Sequence, residues 1–235
     1  IFAMDSNGDG LSDLVVRAPG IGGVALVSSG TGQFTRLGVL PACEVPAYSQ
    51  IADINGDGRA DFICASNSVT NNRVYLATGD TSFVANMATP AFAETLLSNS
   101  GDDLVSSSAV PGASYITLDI DGDGRTDIVR FADDPAKNYL YRSKGNGAFS
   151  SGLLFIDGET AQLTKSDGSA DVVVGDFLGN GTVQFLRVMR DAATATIAAG
   201  KNQLYVKVDP TPKDQLISVT GPTGLRTTLT YGSLA

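Results

Sequence analysis

The chain has 235 residues, 43% of them hydrophobic and 17% charged, with 27 glycines, no tryptophan and no histidine. That length carries the core of one large or two small domains, and no apolar run approaches the ~20 residues that span a bilayer. A net charge of −9 without a basic stripe excludes nucleic acid and anionic membrane as natural partners.

In chain order, DSNGDGLSDLVV from Asp5 opens a first unit, with only Ile-Phe-Ala-Met ahead of it. Val27 follows inside GVALVSSG, and Phe34 closes the glycine turn GTGQF into FTRLGVL. The second unit runs from the strand QIAD through DINGDGRADFIC at Asp53 to Tyr75 in NRVYLATG and Phe83 in GDTSF, ahead of FVANM. Residues 86–114, rich in Ala and Ser, read as a surface excursion with room for a short helix in AFAETLLSN. The third unit comprises YITLD, DIDGDGRTDIVR from Asp119, Tyr141 in NYLYRSKG and Phe149 in GNGAF, ahead of FSSGLLF. Residues 157–170 read as a second loop. In the fourth unit, VVVGD leads into DFLGNGTVQFLR from Asp176, which keeps the frame and glycines but loses most carboxylates. Its NQLYV comes seven residues late, behind DAATATIAAG.

The aspartate-rich starts are 48, 66 and 57 residues apart, a spacing that suits a solenoid or propeller unit. Each unit reads as four short β-branched and aromatic runs bounded by Gly, Asn and Asp, with no sustained 3.6-residue periodicity. The expectation is an all-β fold: a β-propeller, or a sector of one, built of four-stranded antiparallel blades with calcium-binding hairpin loops. Residues 1–212 supply four blades starting near 1, 49, 114 and 170, the fourth degenerate, and 213–235 form a C-terminal β-hairpin.

The acids are lopsided, 22 aspartates against three glutamates (Glu44, Glu94, Glu159), which points to turns and oxygen-donor metal loops. The spacing D-x-[DN]-G-D-G-x-x-D places oxygen ligands at its first, third, fifth and ninth positions, and the seventh adds a backbone carbonyl. In the first loop these are Asp5, Asn7, Asp9, Leu11 and Asp13; in the second, Asp53, Asn55, Asp57, Arg59 and Asp61; in the third, Asp119, Asp121, Asp123, Arg125 and Asp127. Glycine at the sixth position lets the donors converge, and hard oxygens in this number suit Ca²⁺, giving about three sites. Without histidine, and with no cysteine at a ligand position, zinc and copper are disfavoured. An EF-hand would need glutamate at the twelfth position, where Val16, Cys64 and Arg130 stand. The alternative is a set of metal-free Asp/Gly turns. The fourth loop, with Leu178 and Gln184 at its third and ninth positions, is expected to fold without metal. Cys43 and Cys64 allow either one disulfide or two semi-buried thiols.

The pattern DxNGDGxxD followed by YLxxGxGxF resembles the FG-GAP/VCBS-type repeat of integrin α chains and many secreted bacterial proteins, over residues 1 to about 207. The resemblance implies a calcium-binding propeller and a secreted, extracellular setting. KDQLISVTGPTGLRTTLTYGSLA, residues 213–235, resembles the segment following such repeats in the B component of insecticidal toxin complexes and in Rhs-related toxins. That second likeness implies a scaffold docked to a larger toxin-like protein.

No catalytic constellation emerges. Histidine-dependent triads and zinc motifs are impossible, and no GxSxG occurs. Adjacent acids such as Asp102-Asp103 and Asp133-Asp134 would point to opposite faces of a strand. The expected role is a non-enzymatic calcium-stabilised scaffold and docking module, with a protein or other domains of the same polypeptide as partner and no membrane insertion by this chain. The alternative is a carbohydrate-binding or adhesive extracellular propeller with a glycan partner. The chain starts at Ile1 without an initiator methionine or signal region, and so reads as a processed protein or an excised piece.

Overall fold

A computed structural model of the chain describes residues 1–18, 22–40, 49–66, 72–79, 92–96, 103–154, 162–190, 201–206, 218–220 and 226–228. Among them the structure is all-β, with one 3₁₀ turn at Pro135–Lys137 and no α-helix. Consecutive strands pair as antiparallel meanders. β1 (Phe2–Met4), β2 (Asp13–Ala18), β3 (Gly22–Ser28) and β4 (Phe34–Leu40) form the first sheet in chain order. β5 (Ser49–Ala52), β6 (Asp61–Cys64), β7 (Arg73–Ala77) and β8 (Phe92–Leu96) form the second. The third holds β9 (Ser114–Leu118), β10 (Asp127–Phe131), β11 (Tyr139–Ser143) and β12 (Phe149–Leu153). A three-stranded sheet follows, of β13 (Ala170–Gly175), β14 (Gln184–Met189) and β15 (Gln203–Tyr205), and then the hairpin of β16 (Ser218–Thr220) and β17 (Arg226–Thr228).

Two sequence expectations are corrected by strand pairing. Phe92–Leu96, inside the stretch given room for a short helix, is instead β8, in register with β7 from Arg73↔Leu96 to Ala77↔Phe92. A nine-residue helix standing alone is marginal in water, whereas pairing satisfies every second backbone group along an otherwise open edge. The expected fourth strand FVANM lies outside the described residues. In the third strands, Tyr75 faces Phe62, Tyr141 faces Ile128 and Tyr205 faces Phe185, but in the first unit the partner of Leu14 is Leu26, not Val27. Register, not distance along the chain, equates these positions, and it brings the late NQLYV segment into line.

The units stack face to face. One apolar cluster joins the first and second (Met4, Val15, Ala25 with Phe62, Cys64, Tyr75). Another joins the second and third (Ile54, Ile63, Val74 with Tyr115, Ile128, Tyr141, Phe149), and another the third and fourth (Ile120, Val129, Leu140 with Phe185, Tyr205). Cys64 is disulfide-bonded, and Cys43 is the other cysteine of the sequence. Just after the first loop aspartate, Ile54 and Ile120 of the second and third units are buried against the next sheet, and the first unit has Ser6 there. In the fourth unit the same position is Phe177, 44% exposed, and Val173 of β13 is 48% exposed. On the backward face of the first unit Phe34 is 44% exposed, although its counterpart Phe149 is buried. Among the described residues no apolar cluster joins the fourth unit to the first.

Candidate metal centre

Each aspartate-rich loop is the tip of the hairpin between the first and second strands of a unit. Its first aspartate folds it. Asp5 accepts from Gly8 and Gly10 N–H (2.7 and 2.9 Å), Asp53 from Gly56 and Gly58 (2.8 and 2.9 Å), and Asp119 from Gly122 and Gly124 (2.7 and 2.9 Å). Burial draws the Asp5 carboxyl upward, but the N–H groups of Gly10, Gly8, Asn7 and Asp9 together outweigh it and hold the group below its usual range.

Glycine is needed at two positions for different reasons. At the sixth, Gly58 and Gly124 have φ near +80° and open space around a would-be Cβ. At the fourth, Gly56 has φ +74°, and a Cβ there would lie 3.0 Å from Arg125 Cγ and 3.3 Å from the Gly124 carbonyl oxygen. The loops are thus stacked on one another. The carbonyl of Asp5 accepts from Ala60 N–H of the next loop (2.7 Å), and that of Asp53 accepts from Thr126 N–H (2.8 Å).

The ninth-position aspartates are buried, and each ties three segments together. Asp61 accepts from Ile54 N–H (2.9 Å) in its own loop and from Ala77 N–H (2.7 Å) at the end of β7. Asp127 does the same with Ile120 (3.3 Å) and Ser143 (2.8 Å), and Asp13 with Ser6 (3.0 Å) and Ser28 (2.9 Å). The link to the third strand has no signal in the spacing, because only the register brings the end of β7 to the loop. Burial pushes the Asp61 and Asp127 carboxyls up to about 6, against the pull of their backbone donors, and neighbouring aspartates add to the rise. A positive charge beside them would relieve that cost.

The fifth-position carboxylates face the turn. Asp57 accepts from Arg59 N–H (2.9 Å) and Asn55 Nδ2 (2.8 Å), and Asp123 from Arg125 N–H (3.0 Å). The guanidinium of Arg59 pairs with Asp57 and that of Arg125 with Asp123, while their Nε atoms donate to the Ala77 and Ser143 carbonyls (3.1 and 3.3 Å). These two arginines were named for their main-chain carbonyls; their side chains are spacers between loops and rivals of a cation for the fifth carboxylate. Loop one has Leu11 there and, among the described residues, no such rival, while Asp9 accepts from Leu11 N–H (2.8 Å) and Asn7 Nδ2 (2.9 Å) as Asp57 does from its counterparts.

Carboxylate oxygens of Asp119, Asp121 and Asp127 lie within 4.8 Å of one another, close enough to share a metal ion. An oxygen that already accepts one N–H keeps a second lone pair, so the latch at the ninth position is compatible with ligation. An all-oxygen donor set of this kind fits a hard divalent cation.

The fourth loop solves the same problem differently. Asp176 accepts from Asn180 and Gly181 N–H (3.1 and 2.9 Å), so the fold of the tip is retained. Gln184 is buried, and its Oε1 accepts from Phe177 and Leu178 N–H (2.6 and 3.3 Å) as the ninth-position aspartates do. Its Nε2 donates to Asn180 Oδ1 (3.1 Å), the Thr182 carbonyl (2.7 Å) and Thr182 Oγ1 (2.7 Å). Asn180 and Thr182 hold the fifth and seventh positions, so an amide nitrogen meets two of the oxygens that elsewhere would face a cation. Glutamine reads in sequence as a lost ligand; its second role shows only in the hydrogen bonds.

Of the adjacent acids, Asp133 accepts from Ser166 N–H and Oγ (both 2.6 Å), and Asp134 caps the 3₁₀ turn through Ala136 N–H (2.9 Å). Both have structural occupations. Asp102 lies outside the described residues.

These features define a class: stacked antiparallel β units whose first hairpin tips are organised by aspartate. Residues 5–64 and 119–186 match the FG-GAP-like repeat, and the chain belongs to that family. Its fold is similar to a solved Agrocybe aegerita lectin described as specifically recognising non-reducing terminal N-acetylglucosamine, with 20% identity and a TM-score of 0.54, over 86% of this chain and 50% of that one. The chain thus spans half the length of that lectin. A second solved structure, the V. cholerae biofilm matrix protein Bap1, aligns at 19% identity over 83% of this chain and 27% of its own, with a TM-score of 0.34. No curated protein sequence matches the chain.

Proposed function

We propose that this chain is a non-enzymatic, calcium-stabilised β-propeller scaffold and docking module, working as part of a larger extracellular protein. The observation that carries the docking role is the exposure of Val173 and Phe177 on the fourth unit and of Phe34 on the first. Their counterparts Ile54, Ile120 and Phe149 are buried against a neighbouring sheet, which supports a partner that covers Phe177 and Phe34 as well. Calcium is supported by the oxygen-only donors and by the gathered carboxylates of Asp119, Asp121 and Asp127. By the same spacing, loops one and two bring the count to three. The hairpin of β16 and β17 and its likeness to toxin-complex B components and Rhs-related toxins support a toxin-like assembly as the setting. Co-purification of the tagged chain with a defined protein partner, lost in Phe177→Asp, tests the docking role; a chain that stays alone, with Phe177→Asp behaving as wild type, would contradict it.

The second reading, a carbohydrate-binding propeller, is favoured by a polar cleft of about 420 Å³ where the third and fourth units meet. The lectin of similar fold binds a sugar, which is compatible with that use of the architecture. A glycan array read with and without EGTA distinguishes the two: saturable binding to defined saccharides supports this second reading, and a blank array removes it.

A further inference from the structure

The junctions between units share a second set of contacts besides their apolar clusters, and these contacts follow the loop positions. At the first two junctions the eighth-position N–H of one loop donates to the first-aspartate carbonyl of the loop before it, Ala60 to Asp5 (2.7 Å) and Thr126 to Asp53 (2.8 Å). The seventh-position side chain lies over the fourth-position glycine of that preceding loop. A Cβ on Gly8 would come within 3.4 Å of Arg59 Cγ, and one on Gly56 within 3.0 Å of Arg125 Cγ. The second-position residue, Ile54 or Ile120, is buried in the cluster shared with the next sheet. At the third junction the eighth residue, Val183, packs on the cluster that holds Ile120.

Each half of such a junction stands uncovered once more. The fourth unit carries the half that receives. Its Asp176 carbonyl has no inter-unit bond among the described residues, a Cβ on Gly179 would meet nothing within 4 Å, and Phe177 and Leu178 are exposed. The first unit carries the half that inserts. Its seventh residue, Leu11, lies against the turn glycine Gly30 of its own unit, as Arg59 lies against Gly79 and Arg125 against Gly145. Leu11 and Phe34 are exposed, and Ser12, at the eighth position, has no inter-unit bond among the described residues. Where the two uncovered halves differ from the interior, both are apolar. Leucine stands in place of the two arginines, and phenylalanine in place of the two isoleucines. Bringing these halves together leaves no seventh-position charge to desolvate. The surface that continues the fourth unit is thus the one the first unit presents, and a copy of the chain supplies it.

We propose that the uncovered side of the fourth unit is filled by the first unit of a second copy of this chain, head to tail, continuing the junction already built between its own units. The proposal rests on the docking reading and names its partner. Because the two surfaces differ, the contact is heterologous, and it either closes into a ring or runs on as an open chain of copies. Sedimentation velocity of the full chain over a range of concentrations tests it, in salt sufficient to screen the net charge of −9. The expected result is a dimer or larger species at high concentration that dissociates on dilution. Phe177→Asp and Phe34→Asp should each be monomeric throughout, and each should melt at the wild-type temperature, because both side chains are exposed. Each variant keeps the surface that the other has lost, so an equal mixture of the two should form a one-to-one dimer and grow no further. Association of the wild type together with a mixture that stays monomeric would overturn the head-to-tail contact. A wild-type chain that is monomeric at every concentration would overturn the second copy as occupant. The docking reading then still stands if a defined protein partner co-purifies with the wild type and is lost in Phe177→Asp.

Discussion

Loops two and three on one side, and loop four on the other, share a frame of glycines and a first aspartate that caps the turn. They differ in what sits at the centre. Asp61 and Asp127 bring buried negative charge to oxygens that already crowd one another, and their carboxyls are pushed up to about 6 as a result. Gln184 brings a neutral amide whose carbonyl does the work of the latch and whose nitrogen donates to the inward-facing oxygens of Asn180 and Thr182. One hairpin tip can therefore be organised by a borrowed positive charge or by two N–H bonds carried in the sequence. The first arrangement couples stability to an ion; the second does not.

The largest expected consequence is a loss of stability on chelation. A ligand binding only the folded form contributes RT ln(1 + [L]/Kd), ~2.7 kcal/mol per site at a hundredfold excess over Kd, or roughly 8 kcal/mol for three sites. A thermal scan in EGTA should show a large fall in Tm, and Asp57→Ala and Asp123→Ala should each reproduce part of it. An unchanged scan would remove the distinction between the loops.

The pH response sharpens the same contrast. Asp61 and Asp127 have folded-state values of about 6 against an ordinary 3.8, so the folded form holds more protons. Their contribution is fully present below 3.8 and is lost as pH rises through 6. In EGTA, these two groups should therefore raise denaturant midpoints by the equivalent of about a few kcal/mol in total between pH 7 and pH 4. With calcium present the same acidification should weaken binding, because protons and the ion compete for the same oxygens. Midpoints that fall with acid equally in both buffers would contradict this.

Gln184→Ala should cost about 2–3 kcal/mol by stranding its buried partners, and by the same amount with calcium or with EGTA. A loss seen only in calcium would mean that loop four also holds an ion. Smallest of all, Arg59→Ala should change stability by about 1 kcal/mol or less, since the pair with Asp57 is partly exposed. It should tighten calcium binding at loop two severalfold by removing the rival for Asp57, which calorimetry of the variant would read.

The hairpin tips and the all-β repeat were legible because their signals are local: glycines where φ is positive, acids at fixed spacing, and β-branched runs directly behind. What escaped sequence reasoning depends on partners far along the chain. β8 is a strand because β7 offers an open edge, although AFAETLLSN alone has no reason to extend. Leu26 rather than Val27 matches the tyrosines because pairing with Leu14 sets the register. The reach of Asp61 to Ala77 spans 16 residues, and the arginine spacers act between loops of different units. Gln184 was readable as a missing acid, but its amide geometry belongs to the folded loop. The polar cleft between the third and fourth units is assembled from segments some fifty residues apart, each polar and unremarkable alone.

The most direct test is the number of calcium ions held by the full chain, counted by native mass spectrometry after exchange into ammonium acetate with micromolar calcium. The account predicts three per chain, falling to two in Asp127→Ala and remaining three in Gln184→Ala. A chain that carries no calcium, or one that carries four with the fourth lost in Asp176→Ala, would contradict it.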